Sequence, residues 1–114
     1  MPDWSDVVAA GRMLPEVEEG TWFRTPSLAV RKKSFCRMRE DGETLVIRAV
    51  DLEDKEALLR SDPDAYYTTP HYDGYPYVLV RLAAVDPRQL AELVEDAWRL
   101  VAPKRLVAAY DDGP

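Results

Sequence analysis

The most regular hydrophobic spacing in the chain lies towards its C-terminal end. Leu90, Leu93, Val94, Ala97, Trp98 and Val101 follow the period of one helical face, so the segment reads as a helix with that stripe in the core. Asp86-Pro87 supplies a cap and a first-turn proline, Gln89 stands at the capping-box position, and Pro103 stops the helix. A shorter stripe of Trp4, Val7, Val8 and Gly11 predicts a first helix, capped by Asp3 or Ser5, running to Leu14 and ended by Pro15. Asp51 caps a third over LEDKEALLR. There Leu52, Leu58 and Leu59 can dock, while Glu53, Asp54 and Glu56 face water and favour the N-terminal turn.

Between these helices the pattern changes to alternation. After an acidic VEEGT turn, residues 21–24 and 28–31 read as strands interrupted by Pro26, and RKK turns the chain into SFCRMR. Asp41-Gly42 is a hairpin signal, because both positions tolerate the positive φ of a type I′ turn, and it joins SFCRMR to TLVIRAV. With those two residues as the loop, Glu40 faces Glu43, Met38 faces Leu45, Arg37 faces Val46, Cys36 faces Ile47 and Phe35 faces Arg48. Cys36, Met38, Leu45 and Ile47 then point to the core. Phe35, Arg37, Arg39 and Arg48 share the other face, where Arg48 can stack on Phe35. YVLVRL is a further strand with Val78, Val80 and Leu82 on one side and Tyr77, Leu79 and Arg81 on the other. The end of the chain reads as a tail with an edge strand at RLVAAY.

Helix, strands, short helix, strand and long helix, without regular strand–helix alternation, indicate an α+β fold. The expected architecture is a two-layer sandwich, a mainly antiparallel sheet with the terminal helices packed on one face. A chain of 114 residues and 13.0 kDa holds one such domain, placed at 1–106 with a tail at 107–114. Hydrophobic residues at 46% and charged residues at 32% fit a globular protein, and no run approaches a membrane span. The N-terminus carries acids before its apolar residues, unlike a signal peptide, and the single Cys36 suits a reducing compartment, so a cytoplasmic monomer is expected.

Charge is unevenly spread. The net charge is −6, yet residues 20–39 contain Arg24, Arg31, Lys32, Lys33, Arg37 and Arg39 and no acid, so the rest of the chain sums to −12. An electropositive surface on an acidic body can steer an anionic partner, although such residues are more often solvated strand faces paired with acids.

TTPHYDGYPYVLVRL, residues 68–82, contains the only histidine. A hydrolytic role for His71 needs a nucleophile and an orienting acid. Asp73 is near in sequence, but Thr68 and Thr69 lack a dedicated base and Cys36 falls on the core face. His71 with Asp73 is likewise a sparse metal set. Pro70, Gly74 and Pro76 punctuate a turn with Asp73-Gly74 at its apex, which makes His71 and Tyr72 turn residues that, with Tyr75, are candidates to line a pocket. Tyr66, Tyr67, Tyr72, Tyr75 and Tyr77 can stack on bases, and are equally ordinary half-buried strand residues.

Four separated segments carry a resemblance: the LPEVEEGT turn, KSFCRMR, TPHYDGYPYVLVRL and AWRLVAPKR. Over residues 5–106 the chain resembles the MmcQ/YjbR family. The resemblance implies a CyaY-like (frataxin-like) fold, an antiparallel sheet flanked by terminal helices, and the DNA-binding role with which the family is commonly labelled. It supplies no catalytic residues. The leading expectation is therefore a non-enzymatic DNA-binding protein with no cofactor and no metal. Arg31, Lys32, Lys33, Arg37, Arg39 and Arg48 would contact phosphates, and Phe35 or tyrosines would stack on bases. The alternative is a frataxin-like interaction module whose Asp3, Asp6, Glu16, Glu18 and Glu19 meet a protein partner or weakly bound cations, or a module that takes a small ligand.

Overall fold

A computed structural model describes residues 2–113. Helix α1 (Trp4–Arg12) leads into strands β1 (Val17–Trp22), β2 (Thr25–Val30), β3 (Lys33–Met38) and β4 (Thr44–Arg48), followed by α2 (Leu52–Ser61). Strand β5 (Tyr66–Tyr67), β6 (Tyr77–Arg81), α3 (Pro87–Val101) and α4 (Lys104–Asp112) complete the chain. The strands form one open antiparallel sheet in the order β1-β2-β3-β4-β6-β5, an α+β arrangement. Among the described residues, no helix is long and apolar enough to cross a membrane.

One face of the sheet carries the core. Leu90, Leu93, Val94, Ala97 and Trp98 of α3 are buried against it together with Val7 of α1, as the helical stripes predict. They meet Leu28, Val30, Cys36, Met38, Leu45, Ile47, Val78 and Val80 from four strands. Each fully buried large side chain contributes about 1.5–3 kcal/mol. Asp3 caps α1 in a reciprocal capping box with Asp6, and Asp51 and Asp86 cap α2 and α3. At α3 the Asp86 carboxylate accepts from the Arg88 N–H.

Four expectations are corrected. The VEEGT segment is not a turn but most of β1, joined to β2 by Phe23 and Arg24 at φ 54° and 66°. Residues 104–112 form a helix rather than an edge strand: Leu106, Val107 and Tyr110, at spacings of one and four, pack on the core, and the Tyr110 ring meets Trp98 edge-on. Asp41-Gly42 does set the expected register, with Cys36 opposite Ile47, Arg37 opposite Val46 and Met38 opposite Leu45. It does so without a type I′ turn, because only Gly42 has positive φ, while the Asp41 carboxylate accepts from the N–H groups of Glu43 and Thr44 and from the Thr44 hydroxyl.

The fourth correction concerns Phe35, which is 0% exposed and belongs to the core. Between β2 and β3 the register shifts by one residue: Leu28 lies opposite Cys36 but Ala29 lies opposite Ser34, so Phe35 is the extra residue of a bulge. Strict alternation cannot anticipate two consecutive side chains turned to the same face. Phe35 is thus absent from the open face, and Arg48 stacks instead on Tyr77, 5.7 Å from its ring centre.

Candidate functional site

The second face of the sheet is not bare. Residues 68–76, between β5 and β6, fold back across it and enclose a cleft of about 540 Å³. Arg37 and Val46 lie at its floor, Trp22 and Phe23 of the first hairpin form one wall, and His71, Tyr72, Tyr75 and Tyr77 form the other, with Glu40 at the rim.

Local chain geometry explains the second wall. Thr69 leads into a short 3-10 turn at Pro70–Tyr72, and Asp73 (φ −61°, ψ 132°) followed by Gly74 (φ 82°) makes a type II turn closed by the Tyr75 N–H on the Tyr72 carbonyl at 3.1 Å. Asp73-Gly74 is therefore at the apex, as its composition indicates. Tyr72 and Tyr75 also bind through their carbonyls, which accept from Lys55 Nζ at 2.7 and 3.0 Å.

Lys55 is the buried residue of α2, only 4% exposed, whereas Leu52, expected to dock, is 48% exposed. Burial lowers the Lys55 pKa, opposed by the nearby Asp73 carboxylate. Sequence reasoning missed this lysine because its carbonyl partners lie on a distant loop. A lone lysine on the otherwise acidic first turns of α2 was the only available signal.

The first wall depends on an unusual backbone. Phe23, a bulky residue at positive φ, is 66% exposed with its ring stacked on Trp22 at 5.2 Å. Left-handed conformations at large side chains are strained and concentrate at binding sites. From Phe23 the rings continue around the cleft: Trp22 to Tyr77 at 6.5 Å, Tyr77 to Tyr72 at 6.4 Å, and Tyr72 to His71 edge-on at 4.8 Å.

Arg37 stands within this ring of aromatics. Its Nη2 donates to the Tyr72 hydroxyl at 2.8 Å and its Nη1 to the Met38 carbonyl at 3.1 Å and the Thr25 hydroxyl at 3.3 Å. The guanidinium lies 5.2 Å from the Phe23 ring centre and 3.8 Å from a Glu40 oxygen. Three of the five N–H groups a guanidinium carries are thereby used within the protein.

The other basic residues do not converge on Arg37. Arg31 forms a bidentate pair with Glu16, whose carboxyl it holds below the ordinary carboxylate range by hydrogen bonding. Lys32 and Lys33 lie with Arg31 at the turn that ends β2, while the cleft is at its start, so about 13 Å of strand separates Lys33 from Arg37. Arg39 donates to the Tyr67 hydroxyl, and Arg48 covers Tyr77 beside the cleft. Arg24, absent from the expected phosphate contacts, is exposed on the turn next to Phe23.

Four of the five acids of the alternative reading are engaged locally: Asp3 and Asp6 cap α1, Glu16 pairs with Arg31 and Glu19 with Arg12, while Glu18 is exposed on β1. Among the described residues, no three His, Cys, Asp or Glu side chains gather as a metal site. Cys36 is fully buried, and burial pushes its thiol up to about 12, so it carries no thiolate at neutral pH.

Comparison with known proteins places this architecture. The YjbR family model matches residues 12–100. An uncharacterised protein of Mycobacterium tuberculosis, Rv2570, is 49% identical over 69 residues, covering 60% of this chain and 54% of the relative. An uncharacterised Mycobacterium bovis protein, Mb2600, matches equally. The match thus spans about half the length of these relatives. Among solved structures, Deinococcus radiodurans protein DR2400, with a DUF419 domain, superposes with a TM-score of 0.73 at 25% identity, covering 89% of this chain and 79% of that one.

Proposed function

The chain belongs to the YjbR family, and from that membership together with the cleft we propose that it is a non-enzymatic nucleic-acid-binding protein that holds an unpaired base between its aromatic walls. The observation that carries this reading is the ring of Phe23, Trp22, Tyr77, Tyr72 and His71 around an anchored arginine. Flat rings beside guanidinium groups are the chemistry of base stacking, worth about 1–3 kcal/mol per base. Bases in a duplex are already stacked on one another, so such a cleft favours single strands.

Arg24, exposed next to Phe23, and Arg48, over the Tyr77 ring, would meet the flanking phosphates. A binding role also suits what surrounds His71. This residue is exposed, packs on Tyr72, and among the described residues has no hydrogen bond to a hydroxyl, thiol or carboxylate that would make it a base.

Fluorescence anisotropy of labelled single- and double-stranded DNA, at about 50 and about 200 mM salt, tests the proposal. Saturable binding of single strands, weaker for duplex, is expected. With about two phosphates engaged, the logarithmic salt slope for a single strand is about −1.4. Absence of binding to single strands at the lower salt would overturn it.

A further inference from the structure

Resting on that base-binding role, we propose that the cleft selects guanine, through the adjacent side chains of Arg37 and Glu40. The two groups meet the cleft together, Arg37 Nη1 lying 3.8 Å from Glu40 Oε1. They differ sharply in freedom. Arg37 is buried and held by Tyr72, Thr25 and Met38, whereas the Glu40 side chain is 71% exposed at the rim.

The separation of 3.8 Å leaves the carboxylate oxygens without a short bond to the guanidinium. Glu40 therefore offers two acceptors next to a guanidinium whose Nη1 hydrogens are taken by Thr25 and Met38 and whose spare donors are the second Nη2–H and Nε–H.

An unpaired base is read on its Watson–Crick edge by hydrogen bonds of matching sense. A donor beside a bidentate acceptor requires an edge with an acceptor followed by two parallel N–H groups. Guanine has that order in O6, N1–H and N2–H. Adenine and cytosine each offer the carboxylate one exocyclic amine next to a ring acceptor, and thymine a single ring N–H between two carbonyls. Each would leave one carboxylate oxygen unmatched or facing another acceptor. A carboxylate near a cleft that binds polyanions is otherwise a disadvantage, since it repels phosphate. Its presence beside the anchored arginine is accounted for if it reads N–H groups.

The test uses the full chain and short thymidine oligomers carrying one central guanine, adenine, cytosine or thymine, read by anisotropy at fixed salt. The guanine oligomer is expected to bind about tenfold or more tighter, the discrimination of one good bidentate pair. Glu40→Gln replaces one acceptor oxygen by a donor, and the preference should fall to within about twofold while circular dichroism is unchanged, since the side chain is mostly solvated. Equal binding of all four oligomers, or a guanine preference that survives Glu40→Gln, would overturn base selection and leave the cleft's general role intact. Failure of every oligomer to bind would overturn both.

Discussion

Two buried residues, Cys36 where a core side chain is expected and Lys55 where one is not, show how environment sets the behaviour of single side chains. Burial raises the Cys36 thiol from 9.0 to about 12 in the folded chain. A folded pKa above the unfolded one means stability is fully present below pH 9 and is lost as pH rises towards about 12, with a slope approaching about 1.4 kcal/mol per pH unit. Urea unfolding as a function of pH should show this fall, and Cys36→Ala, though less well packed at neutral pH, should show a smaller one, since Tyr66 and Tyr110, also raised in the fold, remain. Lys55 acts by geometry instead. Lys55→Met leaves the Tyr72 and Tyr75 carbonyls without their donor, at a cost of about 1–3 kcal/mol. Amide exchange should then quicken across residues 68–76 before the sheet is affected; uniform quickening throughout the chain would refute a clamp confined to the loop. Alternation alone placed Arg37 on the face opposite Cys36, which the pairing with Val46 bears out. It could not place Lys55, whose partners are 17 and 20 residues away along the chain.

Elements impose the next set of constraints. Helix α1 approaches β2 at Gly11, where a Cβ would lie 2.7 Å from Leu28 Cδ1 and 3.3 Å from Val17 Cγ1. Leu28 is fully buried and has no room to withdraw, so Gly11→Ala should destabilise by about 1–3 kcal/mol despite the better helix propensity of alanine, as thermal or urea unfolding would measure. The hairpin of β1 and β2 carries the opposite arrangement, an aromatic residue where glycine would be easier. Phe23→Gly relieves the left-handed backbone while losing the stack on Trp22, and stability should stay within about 1 kcal/mol of the parent. DNA binding should nonetheless drop about fivefold or more, the value of one stacking platform. Unchanged affinity would remove Phe23 from the wall of the site. Helix periodicity was legible because its signal is local. The Phe23-Arg24 turn was not, since neither residue type announces positive φ.

At the scale of the whole molecule, the question is whether a basic run in sequence becomes a basic surface in space. It does not: Arg31 is neutralised by Glu16, and Lys32 and Lys33 sit at the far end of the strand from Arg37. Replacing Lys32 and Lys33 with alanine should change single-strand affinity by less than about threefold, whereas Arg37→Met should cost about tenfold or more, as a guanidinium within the site. An equal loss in the two variants would favour an extended basic face over the cleft. By itself the chain determined the α+β class, the three capped helices, the buried stripes of α1 and α3, the register of the β3–β4 hairpin and the tyrosine turn, because each rests on residues close in sequence. Tertiary structure alone decided that Phe35 is core, that the C-terminal segment is a helix, and that Trp22, Phe23, Arg37 and Glu40 meet residues 71–77. Those outcomes depend on a one-residue bulge, on the packing of Leu106, Val107 and Tyr110 against the core, and on a loop folding back across a face, and contacts between distant segments have no local signature for sequence to carry.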